Sequence, residues 1–273
     1  MQELSRLSKA FKNEWIKTTS NKFPYLGLVL SATLPFFASA GFKRIGADHE
    51  LNGLAYLSNS AQLALTSIIP LFTLVHTSLL IITETTQGTY RDALSRPLAR
   101  WEFLLSKLMV GLLYPIILLA ANIGMGLIVA AWKYNLGAIK ENDVILVSSA
   151  KMAASLLMAG GLSLLPLFAL LSFGFFISTI SRTFSGAVGF TLGIYIGLEP
   201  FKFLIRIGET SLDRYVVSTY LDAPFGIVKD LAAGIDITWN TPDIHRCVIV
   251  SLVYIIIFTG LSFLIFQKQD LNK

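Results

Sequence analysis

Glu84–Lys107 reads ETTQGTYRDALSRPLARWEFLLSK, the longest polar segment joining two apolar runs near the middle of the chain. Four basic residues (Arg91, Arg96, Arg100, Lys107) stand in it against three acidic ones (Glu84, Asp92, Glu102). What flanks it decides the fold. The runs at 62–83 and 108–131 are each close to the roughly 20 mainly apolar residues that a helix needs to cross a bilayer. Further runs of this kind lie at 24–41, 152–180, 184–204 and 247–266. The 273 residues are 54% hydrophobic and 14% charged, with mean hydropathy +0.65. A soluble domain carries about 25% charged residues, so this apolar surface exceeds what one globular core can hide. The expectation is an all-α integral membrane protein with six transmembrane helices, residues 1–273 forming a single membrane domain.

Ahead of the first run, residues 1–22 carry Arg6, Lys9, Lys12, Lys17 and Lys22. Leu4, Leu7, Phe11 and Trp15 recur at helical spacing, so the apolar residues share one face and the lysines the other. That pattern fits a helix lying in the membrane interface; the alternative is a solvated tail. The first run ends in Ala38-Ser39-Ala40, a signal-peptide-like close. The long amphipathic leader argues instead for an uncleaved span. Pro97 suits the first turn of the third helix. Ser181-Arg182-Thr183 is so tight a link that the fourth and fifth runs form an antiparallel hairpin. The segment 199–246, broken by Pro200, Pro224, Gly208, Gly226 and Gly234, reads as an external loop with short amphipathic helices.

Charge sets the expected orientation. Residues 1–22, 84–107, 181–183 and 267–273 net +6, and the segments on the opposite side net −1. Short basic loops face the cytoplasm. Both termini and the 84–107 segment are therefore expected in the cytoplasm, with the chain multi-pass in the cell inner membrane. The overall +5 follows from this rule, and no compact basic domain points to nucleic acid.

Several chemistries lack their residues. There is no G-x-x-x-x-G-K-[ST] phosphate loop, so the chain is not expected to hydrolyse nucleotide itself. Cys247 is the single cysteine, which excludes an internal disulfide and a cysteine-based metal site. Asp48-His49-Glu50 places metal-capable side chains in one loop, but three adjacent residues rarely meet a metal's geometry, and no metal is expected. No intramembrane pair of ionisable residues is visible for ion coupling or hydrolysis. His76, mid-span beside Thr73 and Thr77, reads either as a hydrogen bond to a neighbouring helix or as part of a substrate path with Thr73. Ser185, Gly189, Gly193 and Gly197 repeat every four residues along the fifth run. A helix face so nearly bare permits close approach of another helix, within the subunit or across a dimer. The other readings are a groove lined by small residues and glycine kept for flexibility.

The central string then points to a family. Glu84, Gly88-Thr89, Leu94-Ser95, Arg96-Pro97, Arg100, Leu104-Leu105 and Lys107 resemble the junction between the second and third spans of permease subunits of type 2 ABC exporters. In that family a Glu closes the second span, Gly-Thr follows, then a short helix, Pro, a basic residue, and Lys opening the third span. The interfacial N-terminal "elbow" helix and the basic tail (Phe266, Lys268, Asp270) are also similar. Tyr90 departs from the Leu that often follows Gly-Thr.

The resemblance implies a half-transporter that pairs with a second copy or a homologous permease and with two separate ABC ATPase subunits. ATP and Mg would sit on those partners, and this chain would hold no cofactor. The short helix Tyr90–Ser95 would be a cytoplasmic coupling helix docked in a cleft of the ATPase. Thr89 is placed to N-cap it, and Pro97 to start the next helix. Arg91, Asp92 and Arg96 would meet charged groups, with Tyr90 and Leu94 as apolar anchors. The plain alternative is an ordinary basic loop. The expected function is ATP-driven export of an amphipathic substrate (lipid, peptide or drug), or maturation of a periplasmic factor with a periplasmic accessory protein. The competing function is a membrane assembly, immunity or regulatory partner without transport. A membrane-embedded enzyme is disfavoured by the missing catalytic pairs.

Overall fold

The computed structural model describes residues 2–45, 52–87, 99–141, 144–207, 210–235 and 238–268. They form a mostly helical bundle. Helices α1 (Gln2–Ser20) and α2 (Phe23–Ile45) lead into a broken helix made of α3 (Gly53–Thr66), α4 (Ile68–Leu79) and α5 (Ile82–Gln87). Then follow α6 (Arg100–Lys133), α7 (Ser149–Ile180), α8 (Phe184–Leu198), α9 (Ala223–Ala232) and α10 (Pro242–Lys268). Two small antiparallel hairpins interrupt the helices, β1 (Ile139–Glu141) with β2 (Val144–Val147) and β3 (Arg206–Ile207) with β4 (Thr210–Ser211).

Among the described residues, five helical stretches are long and apolar enough to cross a membrane: Phe23–Gly41, Gly53–Glu84, Arg100–Lys133, Ser149–Ile180 and Pro242–Lys268. Their outward faces are apolar and exposed, as at Trp132, Leu157, Ile249, Ile256 and Leu264. A soluble bundle would turn charge outward; this one turns hydrocarbon outward, as a multi-pass membrane-embedded protein does.

Where helix limits differ from the sequence expectation, local chemistry accounts for it. The run expected from Gln62 starts at Gly53, because Asn52 caps it: its Oδ1 accepts from the Leu54 and Ala55 amides at 2.8 and 3.3 Å. The Asn52 Nδ2 also donates to the Gly137 carbonyl at 2.9 Å, tying this end to the β1 approach. The run expected to reach 204 is helical only to Leu198, and the chain continues in turns through Leu204. At about 1.5 Å per residue this helix is about 22 Å long, short of a hydrocarbon core of roughly 30 Å.

The bundle has two halves, and the broken second helix serves both. α6 packs on α1, α2 and α3, whereas α7 packs on α4, α9 and α10, with α8 against α4. The break at Ser67 lets one run of sequence change partners. Buried polar side chains stitch α2 to α6. Ser31 Oγ donates to the Leu118 carbonyl at 2.8 Å, and Asn122 Nδ2 donates to the Ser31 carbonyl at 3.0 Å. Inside a bilayer such bonds hold helices together without help from the hydrophobic effect.

One close helix approach uses a glycine outside the α8 repeat. A Cβ on Gly174 would collide with Thr77 Oγ1 and would lie 3.3 Å from the Leu74 carbonyl oxygen. Among the described residues, nothing lies within 4 Å of a Cβ built on Gly189, Gly193 or Gly197. Within the chain α8 buries another face, Ala187 and Thr191. Gly174→Val should therefore lower the unfolding midpoint in lipid nanodiscs by an overpacking cost of about 1–3 kcal/mol. Gly189→Val should leave the fold's stability within about 0.5 kcal/mol of wild type.

Candidate functional site

The site is assembled at the end of the bundle that carries α1. The inner face of α1 runs through Leu7, Ala10, Phe11, Glu14 and Thr18, spaced as one helical stripe, with Ala10 and Glu14 buried and the others half-buried against α6. Lys9 and Lys12 stay exposed. A carboxylate on the buried stripe demands a partner, and α6 supplies it. Lys107, two turns into α6 and 2% exposed, places its Nζ 2.7 Å from Glu14 Oε2 and 2.9 Å from Glu84 Oε1. Lys17 closes the ring from α1, its Nζ 2.6 Å from Glu84 Oε1 and 3.0 Å from Glu14 Oε1. Two carboxylates and two ammoniums alternate, so the cluster is neutral. Lys107 also lies 4.9 Å from the Phe103 ring centroid, and Phe103 stacks on Phe266 of α10 at 5.7 Å.

A second set of contacts fixes the start of α6. Glu102 Oε2 accepts from the Ala99 amide at 2.8 Å, one of the donors that a helix N-terminus leaves unpaired. Arg6 Nε of α1 lies 3.7 Å from Glu102 Oε1, and Arg100 Nη1 donates to the Gln267 carbonyl of α10 at 3.0 Å. The end of the second span is held from the other side. At the Leu80–Ile81 break between α4 and α5, Ser178 Oγ of α7 accepts from the Ile81 and Ile82 amides at 3.0 and 3.1 Å. These amides begin a new helix, and Ser178 caps it from across the bundle.

Burial works against the Lys17 ammonium. The hydrogen bond to Glu84 and the attraction of Glu14 and Glu84 outweigh it and hold its pKa above the ordinary 10.5. The ion pairs make α1, the end of the second span and the start of the third one mechanical unit.

The residues singled out from sequence fall into four groups. Glu84 is in the ring. Gly88, Thr89, Tyr90, Arg91, Asp92, Leu94, Arg96 and Pro97 lie outside the described residues, as do Asp48, His49 and Glu50. Ser185, Gly189, Gly193 and Gly197 lie on the open side of α8 or, for Ser185, exposed at its start, so the close approach within the subunit is not made there. His76 and Thr73 are buried on α4. The His76 ring packs on Tyr114 with centroids 4.3 Å apart, and its Nε2 and Thr73 Oγ1 have no hydrogen-bond partner among the described residues. Neither residue lines either of two cavities found among the described residues. One of these, about 400 Å³, is an apolar groove between α3, α6, α7 and α9, lined by residues such as Leu57, Leu119, Leu156, Gly160 and Phe225. Among the described residues no three His, Cys, Asp or Glu side chains gather as a metal site.

Sequence reasoning missed Glu14, Lys17 and Glu102 as members of one site. The available signal was Glu14 itself, an acidic residue in phase with Leu7, Ala10 and Phe11. Lys17 stays on the exposed face, and from there it pairs with Glu14 and Glu84.

Comparison with known families places the fold in a group. The profile of a family of proteins of unknown function, DUF2705, matches residues 22–272. The chain belongs to that family. The match starts just after α1 and runs through α10. The uncharacterized protein YhcI of Bacillus subtilis (strain 168) is similar, 28% identical over 235 residues, which is 80% of this chain and 68% of its own length.

Removing one member of the ring strands a buried charge. Lys107→Met should destabilise the folded chain by about 3–5 kcal/mol, read as a lower unfolding midpoint in nanodiscs. The pH dependence has a defined sign. Lys17 binds its proton more tightly folded than unfolded, so its contribution is complete below pH 10.5 and is lost as pH rises through its elevated pKa. The wild-type midpoint should fall more steeply above pH 10.5 than that of Lys17→Met, with no difference in slope between pH 7 and 9.

Proposed function

We propose that the chain is the permease subunit of an ATP-driven ABC exporter. In this reading α8 is a short fifth span, so six spans cross the cell inner membrane with both termini in the cytoplasm. The segment 84–107 is the coupling segment, with Tyr90–Ser95 as the short helix that separate ATPase subunits push, and α1 is the interfacial elbow helix. ATP and Mg belong to the ATPases, and the chain carries out no hydrolysis of its own.

The observation that carries the reading is the contact between Glu84 and Lys107 at 2.9 Å. These residues bound the central segment and are also the Glu and Lys of the family-like string. Their ion pair ties the two feet of the segment together, and Glu14 and Lys17 tie both feet to α1. A load applied to the segment cannot bend one foot alone, because doing so would unpair a buried charge at a cost of several kcal/mol. The load passes instead into α1, the second span and the third span together. The break at Leu80–Ile81, capped by Ser178, is the point at which that unit meets the rest of the second span.

Two copies, or this chain and a homologous permease, would enclose the substrate path. The open glycine face of α8 is the surface suited to the partner, since close backbone approach needs bare helix surface. The exported substrate is amphipathic.

The reading is tested by purifying the tagged chain from its native membrane in mild detergent. An ABC ATPase should accompany it in stoichiometric amount, and Arg91→Glu or Leu94→Asp should abolish that association while membrane insertion is retained. Absence of any ATPase, or unchanged association in both variants, would favour a non-transporting assembly, immunity or regulatory partner.

A further inference from the structure

The polar cavity at the opposite end of the bundle is independent of the charged ring. It encloses about 380 Å³ where the α3–α4 break, the end of α8 and the segment leading to α9 meet. Its walls include Leu71, Tyr195 and Phe203, and its polar groups include Glu199, Lys202, Thr219 and Asp222. Lys202 is 6% exposed and already engaged: its Nζ is 2.7 Å from Glu199 Oε2, 3.4 Å from Ser218 Oγ and 5.2 Å from the Phe203 ring centroid. Asp222 Oδ2 accepts from Gln62 Nε2 at 3.0 Å and forms no ion pair among the described residues. The Thr219 hydroxyl is buried with no hydrogen-bond partner among the described residues.

The balance of charge and of hydrogen-bonding capacity picks a ligand class. Glu199 and Asp222 against Lys202 leave the lining with one excess negative charge. Because Lys202 spends its charge on Glu199, an anion entering the cavity would face two carboxylates and a neutralised lysine. A primary ammonium has three donors and no acceptor; the cavity offers it the Asp222 carboxylate and the idle Thr219 oxygen. Aromatic and aliphatic walls then suit an apolar body, and a cation near an aromatic face gains further attraction. The cavity sits where α8 ends and the exposed Ile196, Phe203 and Leu204 begin to leave the bundle, so it opens beside apolar surface.

We propose that this cavity binds the ammonium group of an amphiphilic amine, with Asp222 as its counter-ion and Phe203 and Tyr195 against its apolar body. As a substrate site the cavity rests on the exporter reading; as a binding site it belongs to this chain alone.

The test uses two dansyl probes that share a fluorophore, dansylcadaverine with a primary ammonium and dansylglycine with a carboxylate. Each is titrated into the full chain in nanodiscs without any ATPase, and the signal from empty nanodiscs is subtracted. Dansylcadaverine should bind saturably and at least tenfold more tightly than dansylglycine. Asp222→Asn retains an oxygen to accept from Gln62 and should weaken dansylcadaverine at least tenfold with an unchanged unfolding midpoint. Phe203→Ala, which keeps every charge, should weaken it severalfold. Equal binding of the two probes, no saturable binding, or wild-type affinity in both variants would overturn the proposal. None of these results depends on ATPase association, so this site and the exporter reading fail separately.

Discussion

Lys107 is the constraint on which the rest of the arrangement depends. An ammonium that is 2% exposed at the end of an apolar helix is stable only if its charge is matched at contact distance. No residue on α6 itself meets that need in the structure. It is met by Glu14 from the N-terminal helix and Glu84 from the end of the second span, at 2.7 and 2.9 Å. The helices therefore converge because charge neutrality requires it, and Lys17 completes the balance from the solvent side. Apolar packing alone would leave α1 free to slide along the bundle; the alternating ring sets its position and its rotation.

The same logic explains why the second span is not one straight rod. Its first part belongs with α6 and its middle part with α7 and α8, so the helix breaks at Ser67 and again at Leu80–Ile81. A break in an apolar setting exposes backbone amides that must be paired. Ser178 pairs two of them from α7. The last turn before the central segment thus has its own cap at the top and its own ion pair at the bottom, which separates it mechanically from the helix above. In the exporter reading, that separation lets a push at one end of the bundle reach the cavities at the other through defined joints.

Much of the fold was legible in the sequence, because runs of apolar residues leave a chain few alternatives to helices in a membrane. The helix limits were less so. Asn52 extended α3 by capping it from a polar segment, and α8 stopped at Leu198, just before Glu199-Pro200, although Phe201, Phe203 and Leu204 follow. Periodicity located the bare face of α8 but could not say where it points; a close crossing within the chain instead uses Gly174, a lone glycine with no repeat to mark it. The candidate site was half visible. Glu84 and Lys107 stood out as the bounds of the central segment, but their contact is tertiary. Glu14 was hidden by a habit of reading, since a charge on an interfacial helix is normally assigned to its wet face. The polar cavity draws Thr66 and Ser67 together with residues 195–222, and no local pattern announces such a meeting. The proposed coupling helix itself lies outside the described residues, and its role stands on its string and on the anchoring of its two feet.

The central claim is that the ring of Glu14, Lys17, Glu84 and Lys107 binds α1 to the feet of the central segment. Amide hydrogen exchange of the full chain in nanodiscs tests it most directly, comparing wild type with Lys107→Met. The account predicts that amides across Arg6–Thr18 of α1 and Ile82–Gln87 of α5 exchange at least tenfold faster in the variant, a loss of about 1.4 kcal/mol of local protection, while those in the middle of α7 keep their wild-type rates. Unchanged protection of α1 in a variant that has lost Lys107 would contradict it.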